Sequence, residues 1–378
     1  MPGVKLQNSI GFKDQKFFIG MDVHKKSWVI TIRSMGIQIA RFTQPPSVEA
    51  LVKYLEKNYP GGKYYSVYEA GFCGTDTHEQ LCKAGINNII VHAADIPTTD
   101  KQRKNKTDLH DSSTLADKLE KNEVHGIHVL TRDQQELRGL FRLRQQRVID
   151  VTRANNRLKG YLMYLSIELP AELSKTEYLS KKALDWLSNL ELSIEAGTLS
   201  LKTYSEELKY QRAQLSRITK LLREHINLHH ARSYLCLLTI PGIGSITAMG
   251  LLAEIADFNR FKDPDEYCSY LGLMPWEDSS GEVKRTKGIQ PRHNKFLRPL
   301  LIEASWTAIK NDRGLFAYYS KHAKRDSKKA IVKVTRKVAL TARGVVIKQQ
   351  PYDPDYYKRK EGEQKQNNEG LKEKQECI

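Results

Sequence analysis

Acidic residues are in short supply along this 378-residue chain: 44 Asp and Glu stand against 61 Lys and Arg, leaving a formal charge of +17 and a pI near 9.4. A surplus of that size points to a polyanionic partner, nucleic acid first among them. Cysteine is scarce as well. The five cysteines, at 73, 82, 236, 268 and 377, form no CxxC pair and no regular framework. That argues against zinc fingers and disulfide scaffolds and leads one to expect reduced thiols in a cytoplasmic protein. No apolar run approaches the roughly 20 residues a membrane span needs. The opening "MPGVKLQNSIGFKDQKFF" has no apolar signal core, so a soluble protein without a membrane partner is expected. No GxxxxGK[ST] occurs, which leaves no P-loop for ATP.

What is present begins with an alternation of strand and helix patterns over the first 130 residues. "FFIGMDV" (17–23), "SWVITIRS" (27–34) and "IQIARFT" (37–43) are β-branched and aromatic, and Met35-Gly36 separates the last two, so a meander is predicted. "SVEALVKYLEKN" (47–58) follows with Ser47 placed as an N-cap, then the strand "KYYSVYE", a helix near 76–84, the strand "NNIIVHA" and a helix over 107–122. Three meander strands followed by αβαβ make a mixed sheet covered by helices, an α/β domain.

Four acids stand out in that domain. Asp22 lies inside the first strand, where β propensity and desolvation both disfavour a carboxylate. Glu69 ends the fourth strand, and Asp108 and Asp111, three apart, project from one face at the start of a helix. Singly, each has an ordinary reading: a strand-end acid faces water, and acids at a helix start cap it. As an ordered set they suit phosphodiester chemistry, in which two Mg²⁺ ions roughly 4 Å apart need carboxylate oxygens around them. Without metal the four would repel one another. Just before the helical pair, "KQRKNK" supplies Lys101, Arg103, Lys104 and Lys106, a candidate grip for a phosphate backbone.

The series "IGMDVHKKSWVI", "YEAGFCGT", "NKTDLHDSSTLADKL" resembles the RNase H-like, RuvC-type domain of the DEDD transposases of bacterial insertion sequences, in the branch that also carries a catalytic serine. The resemblance covers about residues 15–345 and places the family's metal ligands on Asp22, Glu69, Asp108 and Asp111, with none substituted. It implies two Mg²⁺ ions, with Mn²⁺ able to substitute, and a bacterial or archaeal cell.

A second domain carries its own motifs. "PGIG" within 237–261 lies between two helical patterns and reads as a helix-hairpin-helix, in which Gly242 and Gly244 let backbone N-H groups approach a phosphate; a glycine-capped helix-helix turn is the plainer reading. "YLGLMPWEDSSGEVKRTKGIQPRHNKFLRPLLIEASW" (270–306) resembles the C-terminal transposase domain of the same family, through its "GL-P", "SG", "KGI" and "LR-LLI-A" frame. There the serine before the glycine is the nucleophile, here Ser280, and Lys284, Arg285, Lys287 and Arg292 form the accompanying basic stretch. Taken alone, "DSSG" is turn chemistry. A serine hydroxyl needs activation, and with no Ser/His/Asp set in view the metal site becomes the candidate activator, which would require both domains to address one phosphate. The frame departs from the family at "QPRHNK" (290–295), where a glycine or another basic residue is often found.

Between the domains run two 4-3 patterns: Leu137, Phe141, Arg144, Val148, Val151, Asn155, Leu158, Leu162, and Leu201, Tyr204, Leu208, Gln211, Leu215, Ile218, Leu222. They predict long helices, either a coiled coil joining copies of the chain or an antiparallel hairpin within one. The first is basic, and Arg138 and Arg142 head its candidate nucleic-acid face. In the family that partner is a structured noncoding bridge RNA that pairs with donor and target DNA. Expected boundaries are an extension (1–14), the catalytic α/β domain (15–130), a helical coiled-coil region (131–232), a mostly α-helical C-terminal domain (233–348) and a disordered polar tail (349–378). The whole reads as a DNA transposase that cuts and rejoins through a transient phosphoserine link, acting as a dimer or tetramer. A site-specific DNA invertase, a RuvC-like nuclease using water, and a nonenzymatic nucleic-acid binder stay open.

Overall fold

The computed structural model describes residues 12–71, 75–96, 108–174, 179–280 and 283–354, with the side chains of 108–110, 277–280 and 283–287 left out. The chain divides into two compact units, one ending at Leu130 and one beginning at Thr131.

The first unit is built on five strands, β1 (Lys16–Val23), β2 (Trp28–Ser34), β3 (Ile37–Gln44), β4 (Lys63–Glu69) and β5 (Asn87–Val91), in the order β3-β2-β1-β4-β5. The β1, β2 and β3 pairings are antiparallel, whereas β1-β4 and β4-β5 are parallel. This mixed sheet is consistent with the RNase H-like fold that the sequence resemblance implies. The meander forms because Met35 and Gly36, with φ of 54° and 78°, supply the left-handed turn that joins two right-twisted strands. Parallel pairing of β1 and β4 needs a crossover, and α1 (Val48–Asn58) provides it. Ser47 caps α1 as expected, accepting the Ala50 N–H at 3.2 Å. Alternation then sorts the side chains. Phe17, Ile19 and Met21 pack with Leu51 and Leu55 of α1 and with Leu81 of α2 (Asp76–Lys83), while Val67 and Val91 pack with Leu115 of α3 (Asp108–Glu120) on the other face.

The second unit begins with a capping box at Thr131 and Gln134, which starts α4 (Arg132–Tyr164). Next come α5 (Lys181–Ser188), α6 (Glu195–His229), α7 (Ala231–Leu238), α8 (Ser245–Ile255) and α9 (Pro264–Leu271). Strands β6 (Pro275–Ser280) and β7 (Val283–Ile289) precede α10 (Leu297–Asn311), α11 (Arg313–Ala323) and α12 (Ser327–Lys348). The long helices α4 and α6 run antiparallel within one chain. Ala154, Leu158 and Leu162 share a core with Leu201 and Leu208, whereas Leu137 and Phe141 meet Leu222 and Ile226. The expected seam holds at Leu137, Phe141, Asn155, Leu158 and Leu162, but Asn155 is turned to local use, since its Oδ1 accepts the Leu179 N–H at 3.4 Å. Leu137, Phe141, Leu222 and Ile226 also join the core formed by α7 to α10 and α12, so the helical region and the C-terminal region share one interior.

The C-terminal region differs from expectation in one respect: it contains an antiparallel β-hairpin, β6-β7, where turn and basic-loop chemistry had been read. Among the described residues no helix is long and apolar enough to cross a membrane. The expected tail lies outside the described residues from 355 onward.

Candidate active site

Asp22 and Glu69 reach the same place because of strand register. The parallel ladder pairs Gly20 with Val67 and ends at Met21 with Tyr68, and Asp22 and Glu69 are each the next residue along, so the two acids leave the ladder on neighbouring strands. Alternation fixes their face. Phe17, Ile19 and Met21 occupy the α1 side, which leaves Gly20 and Asp22 on the α3 side; Val67 packs toward α3, and Glu69 follows two residues on.

Gly20 explains how α3 comes so near. A Cβ there would stand 2.0 Å from the Ser112 carbonyl oxygen and 2.5 Å from the Ala116 nitrogen, so only glycine permits this contact between strand and helix. Three side-chain contacts set the direction of α3. Ser112 Oγ lies 2.9 Å from Thr31 Oγ1, and Arg33 meets Asp117 at 3.1 Å and Glu120 at 2.8 Å. Thr31 is opposite Gly20 and Arg33 opposite Phe18. Rising residue number along α3 therefore runs back toward the start of β1, and its first turn, from Asp108 to Asp111, faces the end where Asp22 and Glu69 lie.

Asp22 and Glu69 thus lie at one end of the sheet, and the backbone of the first turn of α3 lies toward that same end. Asp22 is largely shielded, and its Oδ2 sits 3.0 Å from His24 Nε2. Glu69 and Asp111 are half-buried. Asp108 opens α3 by its backbone, and its side chain is outside the described set. Among the described residues no three His, Cys, Asp or Glu side chains are already gathered as a metal site. The donors of Asp22, Glu69 and Asp111 are hard oxygens on half-buried acids, which is the ligand chemistry that Mg²⁺ or Mn²⁺ takes. In donor chemistry, though not as a gathered cluster, these residues suit a hard divalent cation. Lys101, Arg103, Lys104 and Lys106 lie outside the described residues.

In the second unit Ser280 is the last residue of β6, opposite Val283 across the hairpin. Backbone register sets Lys284 opposite Ser279 and Arg285 opposite Asp278, and Lys287 falls within β7. Arg292 is exposed on the segment that follows. Gly244 is the N-cap of α8, with no side-chain cap and open space around it. Gly242 has a packing reason: its φ is 86°, and a Cβ would meet the Ala304 carbonyl oxygen of α10 at 2.1 Å.

Arg138 and Arg142 differ from expectation. Instead of projecting freely from a basic rod, both turn to Glu254 of α8, which is fully buried. Arg142 Nε and Nη2 donate to its two carboxylate oxygens at 2.7 and 2.9 Å, and Arg138 Nη2 donates to its backbone carbonyl at 2.5 Å. The physical reason is the cost of a buried carboxylate, which must be paired. Asn294 completes the pairing at 2.9 Å while its own Oδ1 accepts the Phe296 and Leu297 N–H groups at the start of α10. Sequence reasoning overlooked Glu254; its one signal was an acid within the apolar run "AMGLLAEIADF".

Comparison with known proteins matches both units. Residues 19–166 fit the family model described as the DEDD transposase of the IS110 group, which spans Asp22, Glu69, Asp108 and Asp111. Residues 234–320 fit the one described as the transposase of the IS116/IS110/IS902 family, which includes Ser280. A Sinorhizobium fredii protein described as a transposase is 25% identical over 295 residues, covering 77% of this chain and 71% of that protein. The transposase for insertion sequence element IS1328 of Yersinia enterocolitica is 27% identical over 203 residues, 54% of this chain and 59% of its own. The pilin gene-inverting protein of Moraxella bovis is 27% identical over 171 residues, 42% of this chain and 52% of its own. The matches span from 52% to 71% of these relatives' lengths.

Proposed function

We propose that the chain is a member of the IS110/IS116 family of transposases, whose two domain models it matches in order, and that it recombines DNA, cutting and rejoining strands through a transient phosphoserine link at Ser280. The observation that carries this reading is the convergence of Asp22, Glu69 and the first turn of α3 at one end of the β1-β4 pair. Asp22, Glu69, Asp108 and Asp111 would hold two Mg²⁺ ions, or Mn²⁺ in their place. Such ions, when bound, polarise phosphate oxygens and lower the cost of ionising a hydroxyl.

The chain's own part is positional and electrostatic. Ser280 Oγ forms a bond to phosphorus and gives up its proton, and the P–O bond to one side of the strand breaks, releasing that oxygen as a hydroxyl. Attack by a second strand's hydroxyl on the phosphoserine reverses the exchange and returns the proton to serine. The number of phosphoester bonds is conserved, so no nucleotide hydrolysis is needed, in keeping with the missing P-loop. The side chains of Lys284, Arg285 and Lys287, on the strand paired with the one that ends at Ser280, would hold the flanking phosphates. The cationic surplus supports donor and target DNA as partners, and a structured guide RNA as a further one. Exchange between two DNAs needs more than one serine, hence a dimer or tetramer.

The test is Ser280→Ala. With DNA and Mg²⁺ the wild-type protein should yield a covalent protein-DNA adduct and the variant none; a variant that still cleaves at full rate would make water the nucleophile and Ser280 a hairpin residue. A second reading, inversion of a DNA segment between inverted sites, is favoured by the likeness to the Moraxella bovis pilin gene-inverting protein. Substrates with sites in inverted and in direct orientation separate the two.

A further inference from the structure

The Glu254 cluster holds more positive charge than its internal pairing uses. Among the described residues three guanidinium groups gather there around one carboxylate. Arg138 and Arg142 come from α4, and Arg260, just beyond α8, stacks over Tyr270 at 4.6 Å and over Phe261 at 4.4 Å. Tyr270 in turn donates to the Glu254 carbonyl at 3.0 Å, the same atom that Arg138 reaches. The carboxylate accepts hydrogen bonds from Arg142 and Asn294, and Arg138 Nε is ion-paired to it at 3.6 Å. Among the charged groups acting on Arg138, the repulsion of Arg142 and Arg260 opposes the pull of Glu254, and burial first of all holds its guanidinium below its ordinary value.

Donors are left over. Among the described residues Arg260 Nε and Arg260 Nη2 are buried without a hydrogen-bond partner, and Arg138 Nε has only its ion pair with Glu254 Oε2 at 3.6 Å, beyond hydrogen-bond reach. A buried N–H without an acceptor costs about 1–3 kcal/mol, more when the group is charged. The cost falls on a cluster that is not sealed, because the Arg138 side chain is 21% exposed and that of Arg142 is 44% exposed, while Glu254 is at 0%. A cluster with two surplus positive charges, unfilled forked donors and a way in from solvent calls for an oxyanion with several acceptor atoms. Phosphate matches the guanidinium fork and the surplus charge together.

We propose that Arg138, Arg142 and Arg260 form a binding site for one phosphate group of a nucleic-acid strand, with Glu254 and the Tyr270 ring fixing the guanidinium planes. This rests on the reading of the chain as a nucleic-acid enzyme and adds to it a site in which Arg260, which carries no basic-cluster signal in the sequence, is the principal free donor.

The test uses the full chain and measures equilibrium binding to duplex DNA and to single-stranded RNA over a range of KCl. Arg260→Gln removes one positive charge and no hydrogen bond, so the fold should stand. The expected result is a log-log salt slope smaller in magnitude by about one, with affinity reduced to a similar extent across unrelated sequences, as for loss of a phosphate contact. Arg260→Lys should keep the slope while losing several-fold in affinity, because it keeps the charge and loses the fork. The polymer on which the effect is seen identifies the strand. An unchanged slope and affinity for Arg260→Gln on both polymers, with wild-type binding intact, would overturn the site. Failure of the wild-type chain to bind either polymer would instead bring down the reading beneath it.

Discussion

Gly20→Ala is the sharpest perturbation the first unit offers, because it adds one methyl group at the point where α3 rests on β1. The new Cβ would lie 2.0 Å from the Ser112 carbonyl oxygen, 2.5 Å from the Ala116 nitrogen and 3.0 Å from the Ala116 Cβ, whereas ordinary contact begins at 3.4 Å. Two of these atoms are helix backbone, which cannot rotate away, so α3 must retreat by about 1.4 Å at Ser112 if it stays whole. Ser112 is next to Asp111 and one turn from Asp108, so the retreat separates the helix acids from Asp22 and Glu69 on the sheet. Overpacking of this kind costs about 1–3 kcal/mol of stability. Misplacement of a reacting geometry by about 1 Å costs about 100-fold in rate. The assay is single-turnover DNA cleavage at saturating Mg²⁺, run well below the melting temperature, with DNA affinity measured in parallel. Cleavage should fall about 100-fold with affinity little changed. A Gly20→Ala protein that folds and cleaves at the wild-type rate would refute the argument that α3 must sit this close for the acids to work together.

Other outcomes follow from single contacts. Gly242→Ala should cost about 3 kcal/mol in denaturant unfolding, since it combines a left-handed backbone with a clash against Ala304; a near-neutral effect would restore phosphate approach as the reason for glycine there. Glu254→Ala should cost about 3 kcal/mol by leaving Arg138 and Arg142 partly buried without a counter-charge, discounted for the exposure of Arg142, and Glu254→Gln less than that. Burial pushes the Cys268 thiol from 9.0 up to about 11. Because the folded protein holds that proton more tightly, the contribution is fully present below pH 9 and lost as pH rises through 11; urea melts should show this alkaline fall, and Cys268→Ala should flatten it.

Much of the first unit could be read in advance because its signals are local. Period-two runs, the Met35-Gly36 turn and the Ser47 cap each act over a few residues, and the observed elements fall within a residue or two of the expected ones. Asp22 could be nominated because a carboxylate inside an apolar strand is disfavoured, whereas Glu69, ordinary at a strand end, stood out only as a member of the ordered set and through the family resemblance. Their adjacency was not legible, since it depends on the parallel register of β1 and β4, which no short stretch encodes. The β6-β7 hairpin escaped for the opposite reason: "DSSG" is turn chemistry, and "VKRTKGI" has no apolar alternation to mark a strand. The basic face of α4 was read from residue type alone, and Arg138 and Arg142 met a buried carboxylate more than a hundred residues away in sequence. Gly242 looked like a phosphate-approach glycine because packing of a turn on α10 leaves the same residue behind.

The central claim is that four acids distant in sequence make one divalent-cation site. Its most direct test is Mn²⁺ binding by the full chain with its DNA, followed by electron paramagnetic resonance, for the wild type and for Asp22→Asn, Glu69→Gln, Asp108→Asn and Asp111→Asn. The account predicts that the wild type binds Mn²⁺ and that each single substitution weakens or abolishes that binding. Mn²⁺ binding that is indifferent to all four substitutions, or absent from the wild-type complex, would contradict it.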